Sequence, residues 1–152
     1  MTVALILLGA YSVILLTKVS LAVLVLKKER LSAPELEPPQ RREITIVQPI
    51  LSGDPELPQV LRRQLEALPS DIAFDWLVDD TDTEGRRITK ELAQSFRNIT
   101  IDICPTCASD ENPKTFKLQR ALERAKRRFF VVLDDDTEVD IVSLQTAIDA
   151  LR

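Results

Sequence analysis

The 152-residue chain contains no histidine. Imidazole catalysis and His-ligated metals are therefore excluded within it, and any acid, base or metal ligand falls mainly to Asp and Glu. Glycine is scarce as well, with three residues at Gly9, Gly53 and Gly85. Neither a Walker loop nor a GxGxxG turn can be written with them, so backbone cradles of those kinds are not available for a phosphate. A metal ion is the natural substitute. Cysteine is limited to Cys104 and Cys107, a CxxC spacing that opens a loop rather than a helix, where a reactive thiol is normally activated. With no further Cys and no His, soft ligands cannot complete a four-ligand zinc site from this chain. An excess of basic charge is also lacking: 20 Lys and Arg face 24 Asp and Glu, giving a pI near 5.0. That balance argues against a general nucleic-acid binder, so no nucleic-acid partner is expected and any anionic ligand must be held locally.

What the chain does have begins with an apolar run from Thr2 to Leu26, broken by the single charge of Lys18. A span of roughly 20 residues crosses a bilayer, so residues 1–28 are expected to form a single-pass transmembrane anchor, with Lys18 snorkelling toward the Lys27 side. A cleaved signal peptide fits less well, since a basic n-region is missing. Lys27, Lys28 and Arg30 follow the run, which by the positive-inside rule puts the C-terminal body in the cytosol. Pro34, Pro38 and Pro39 mark residues 29–42 as a stiff juxtamembrane linker.

From residue 43 to 152, β-branched and aromatic runs alternate with amphipathic stretches. Strands are expected at Ile44 to Leu51, Phe74 to Val78, Ile99 to Ile103 and Phe129 to Leu133. Helices fill the gaps: one capped by Asp54 with Pro55 at its first position, one after Asp82 or Thr83, one burying Leu118, Ala121, Leu122 and Ala125, and one after Asp140. The basic stripe Lys117, Arg120, Arg124, Arg127 and Arg128 lies opposite the third helix's apolar face and reads as solvated surface. This order implies an α/β fold with a mostly parallel sheet.

In such sheets ligands bind outside the carboxyl ends of the strands. There the sequence places Leu51-Ser52-Gly53-Asp54, Asp79-Asp80-Thr81-Asp82, a loop through Asn112-Pro113-Lys114, and Asp134-Asp135-Asp136. The last group is the strongest signal. An apolar strand stops in three carboxylates whose mutual repulsion gives a merely stable fold little reason to keep them. Strand alternation puts Asp134 and Asp136 on one side, as oxygen ligands for Mg or Mn. Lys114 is the cationic complement for a phosphate.

Together the Pro49-containing first strand, Val78-Asp79-Asp80, Asn112-Pro113-Lys114 and Asp134-Asp135-Asp136 resemble the family 2-like glycosyltransferases, nearest to the ceramide glucosyltransferase and hopanoid-lipid type. The resemblance implies a membrane helix followed by the nucleotide-binding half of a GT-A (Rossmann-like) domain. It implies that Asp80, Lys114 and Asp134 bind a nucleotide-diphosphate sugar, UDP-linked by resemblance, and that Asp134 and Asp136 hold Mn or Mg. The acceptor would be a membrane lipid. The resemblance runs from about Glu43 to the last residue; the family's later catalytic aspartate and its Gln-x-x-Arg-Trp motif have no counterpart. A second chain supplying the acceptor half is one expectation, and a non-catalytic membrane-tethered module that binds nucleotide sugar or a partner is the alternative.

Overall fold

The computed structural model describes residues 11, 15–21 and 38–151. The expected anchor over residues 1–28 lies largely outside them: 15–21 are helical, and no helix among the described residues is long and apolar enough to cross a membrane. After a short helix α1 (Pro38–Arg41), the chain alternates β1 (Ile44–Ile50), α2 (Leu57–Ala67), β2 (Ala73–Asp79), α3 (Thr83–Ser95), β3 (Ile99–Cys104), α4 (Pro113–Arg124), β4 (Phe129–Val132) and α5 (Ile141–Asp149). The four strands form one all-parallel sheet in the order β3-β2-β1-β4. The α/β fold with a parallel sheet expected from the alternation is therefore present, and its sheet is Rossmann-like.

Period-two patterning sorts the strands into two unequal faces. Ile44, Ile46 and Ile50 of β1 join Phe74, Trp76 and Val78 of β2, and Leu57, Leu61 and Leu65 of α2, Ile88 and Leu92 of α3 and Leu144 and Ile148 of α5 close over them as the main core. Among the described residues the opposite face carries a smaller cluster, Val47, Leu77, Cys104 and Ala121, with Leu118 and Phe130 alongside, beneath α4. The connections through α2 and α3 thus keep to one face, whereas α4 crosses the other and delivers β4 to the far side of β1. The connection changes face between β1 and β4, and this is the switch point at which open α/β sheets form a crevice.

Two expectations about α4 are corrected. Leu122, assigned to the buried stripe, is 61% exposed, and Ala125 is also exposed. Lys117, assigned to the solvated basic stripe, is buried and donates to Asp79 at 2.7 Å. Arg124 donates to Asp102 and reaches Asp75 at 3.5 Å, while Arg120 stands 3.8 Å from Asp102. The reason lies in the sheet. Asp75, Asp79 and Asp102 occupy the strand positions that point toward α4, so the helix turns its cationic side inward to pair with them. Arg127 is committed as well, donating to the carbonyls of Ile44 and Asp71 at 2.9 Å each.

Candidate functional site at the carboxyl edge of the sheet

The loop after β1 is tied down on both sides. The Leu51 amide donates to Asp135 Oδ2 at 2.8 Å, and Ser52 gives Asp82 both its amide, at 2.8 Å, and its hydroxyl. Asp82 also caps α3 by accepting from the Gly85 amide at 2.9 Å. Burial alone would raise the Asp82 pKa, but the hydrogen bonds from Ser52 and Gly85, with the nearby Lys117 charge, hold it below the usual carboxylate range. A Cβ at residue 85 would overlap the Asp82 carboxylate, so this position accepts glycine for reasons of space. The helix expected to start from Asp54 and Pro55 begins two residues later. Glu56 is its N-cap, and Asp54 instead closes a turn, accepting from the Glu56 amide at 2.8 Å.

Strand β4 ends at Val132; Leu133 still donates to the Val47 carbonyl at 3.0 Å. Asp134 to Asp136 therefore lie in a turn beyond the strand, closed by the Thr137 amide on the Asp134 carbonyl at 3.1 Å. Strand alternation does not set their directions, contrary to expectation. The turn sends the three carboxylates to three different partners: Asp134 to Lys114, Asp135 to the Leu51 amide and Asp136 to the Thr137 hydroxyl at 3.2 Å. This separation relieves the repulsion that a straight strand would impose.

The turn is positioned from inside the core. Buried Trp76 donates to Gln48 Oε1 at 2.9 Å, and Gln48 Nε2 donates to the Asp134 carbonyl at 3.4 Å. Downstream, Gln64 of α2 pairs with both backbone groups of Val139, at 3.0 and 2.7 Å. Arg63 adds two bonds to Glu138 Oε1 at 2.9 and 2.7 Å. Sequence reasoning missed Gln48 and Gln64; the available signal was a polar residue at an inward position of an apolar strand and of an apolar helix face.

Lys114 sits not in a loop but in the first turn of α4, behind Pro113 and the cap Asn112, whose Oδ1 accepts from the Thr115 amide at 3.1 Å. A cleft of about 530 Å³ opens here, walled by Lys114, Lys117, Asp79 and Asp134 to Asp136 against the exit of β1. A smaller cavity of about 280 Å³, against Gly53, Asp54 and Leu57, shares Asp135 and Asp136 with it. Of the residues expected to bind ligand, Lys114, Asp134 and Asp136 come together. Asp80 does not line this cleft: its amide donates to the Cys104 carbonyl at 2.8 Å and its carboxylate accepts from Thr106 at 3.3 Å. Asp79, one residue earlier, lines it instead. The alternation of β2 contained that signal, since Asp79 shares the register of Asp75 and Leu77. Beneath the cleft, burial and the Asp102 charge push the Cys104 thiol up to about 11, leaving it protonated and inert at neutral pH.

Four carboxylates and two ammonium groups give the cleft wall a net negative charge. A diphosphate would be repelled there without a cation. Among the described residues no group of three or more His, Cys, Asp or Glu is arranged to hold a metal ion. The oxygen-only donor set nevertheless fits the manner of Mg, which is commonly bound through one or two carboxylates plus substrate phosphates while keeping several waters. No protein-family model matches the chain, and no curated protein matches it in sequence.

Proposed function

We propose that the chain is a membrane-anchored glycosyltransferase, or the donor-binding half of one, that takes a UDP-linked sugar with Mg or Mn and serves a lipid acceptor. The observation that carries the proposal is the meeting of Lys114, Asp134 and Asp136 in one cleft at the β1–β4 switch point. A divalent ion bound there would neutralise the departing diphosphate. The chain's own residues would bind and orient. Lys114 would pair with a phosphate oxygen, and Asp134 and Asp136 would be the carboxylates that hold the cation. Asp79 stays paired with Lys117 and holds the α4 wall against the sheet. Asp80, expected by resemblance to bind the nucleotide, would do so from outside this cleft, beside Thr106.

The apolar run before residue 27 and the cations after it support an anchor and a cytosolic body. Photoaffinity labelling with an azido UDP-sugar tests the reading. Labelled peptides should include Lys114 or Asp134 to Asp136 and should be protected by excess UDP-sugar but not by AMP. Labelling elsewhere, or labelling that ignores the competitor, would contradict it.

A further inference from the structure

The opposite edge of the sheet holds a larger cavity, about 620 Å³, in which the segment before every strand takes part. Arg42 precedes β1, Ser70 and Asp71 precede β2, Arg97 and Asn98 precede β3, and Arg127 precedes β4. Arg127 is held rigidly by its two carbonyl bonds from Nη1, and its other guanidinium edge makes no hydrogen bond among the described residues. Arg42 and Arg97 are exposed and make no hydrogen bond or ion pair among the described residues. Neither is therefore capping the helix ends that finish at this edge. Among the described residues Asp71 is the single acid on the wall, so their three guanidinium groups leave a net charge of two positive.

We propose that this cavity is a second anion site, for the phosphate monoester group of a ligand, at the edge of the sheet where the linker joins it. Planar guanidinium groups match phosphate oxygens in pairs, which ammonium groups do not. The net charge of the wall equals that of a monoester dianion. The buried Oδ1 of Asp71 has no hydrogen-bond partner among the described residues. Two sources offer this chemistry: a soluble phosphate, and an anionic lipid headgroup brought close because Arg42 ends the segment that follows the apolar run. The inference is independent of the donor site, which lies at the other end of the strands.

The test is calorimetry on the full chain in neutral-detergent micelles, titrated with inorganic phosphate, dihexanoyl phosphatidate and dihexanoyl phosphatidylcholine. Phosphatidate is expected to bind, and phosphatidylcholine is not. The double variant Arg42→Gln/Arg97→Gln should weaken binding at least tenfold, whereas Arg62→Gln/Lys90→Gln, on α2 and α3 outside the cavity, should leave it unchanged. Since neither Arg42 nor Arg97 is bonded, the first pair should unfold at the wild-type midpoint. Binding of inorganic phosphate as well would identify a soluble ligand, and binding of phosphatidate alone would identify a headgroup; both support the site. The proposal is overturned if neither phosphate compound binds, if phosphatidylcholine binds equally, or if both double variants lose the same affinity.

Discussion

Lys117 and Asp79 show why a single residue can be misread from sequence. A Lys among five cations on a helix reads as solvent-facing, yet only 5% of it is exposed because Asp79 waits on the strand below. Such a buried pair contributes little net stability, but breaking it leaves a charge stranded. Asp79→Ala should therefore cost about 3 kcal/mol in urea unfolding, and Asp79→Leu/Lys117→Met should recover most of that. Equal costs for the single and double variants would show that the pair is not the cause. Asp82 supplies a pH signature. Its folded pKa lies below the unfolded value of about 3.9, so its stabilisation is present above that pH and is lost as pH falls through the folded value. Asp82→Asn keeps a capping side chain but removes the charge. The wild type should exceed the variant in stability at pH 7, with the difference closing below about pH 4; a constant difference would contradict the assignment.

At the scale of elements, the strands and the starts of α3 and α5 were legible because apolar periodicity and the caps Asp82 and Asp140 are local signals, whereas α2 starts after Glu56 rather than Asp54, and Asn112, read as part of a loop, caps α4. What escaped was set by tertiary partners. The inward face of α4 follows the carboxylates of β2 and β3, and the direction of the Asp134–Asp136 carboxylates follows Leu51, Lys114 and Gln48. The α2 clamp on the loop after the acidic turn makes this dependence testable. Gln64→Met fills the same space and removes both bonds to Val139. The expected loss of stability is about 2 kcal/mol, from two backbone groups left unsatisfied. Donor affinity measured well below the unfolding midpoint should also fall, because the turn loses its downstream anchor. Unchanged affinity would mean that Gln48 and Lys114 suffice to hold it.

On the scale of the whole molecule, the sheet separates two charged ends. The carboxyl edge gathers carboxylates around Lys114 at the switch point, and the amino edge gathers arginines where the linker joins β1. Topology explains why the candidate site was partly readable: parallel order alone sends every strand end to one edge. It does not decide which of two adjacent acids faces the cleft, and Asp79 rather than Asp80 does. The proposed sugar transfer also needs a base on the acceptor side, and each acid lining the cleft already has a role: Asp79 pairs with Lys117, Asp135 accepts from the Leu51 amide, and Asp134 and Asp136 are the proposed oxygen ligands of the cation. Radiolabelled sugar should accordingly bind the isolated chain without passing to extracted membrane lipids. Robust transfer by the chain alone would assign a base to one of those carboxylates.

In the proposed function the acidic turn and Lys114 bind a nucleotide sugar through a divalent ion. Calorimetry of UDP-sugar binding with Mn, repeated with EDTA and with Asp136→Asn, tests it most directly. Measurable affinity is expected with Mn, with a loss of at least tenfold, about 1.4 kcal/mol, in each of the other two conditions. Equal affinity in all three would show that the carboxylates form only a capped turn and not a metal site.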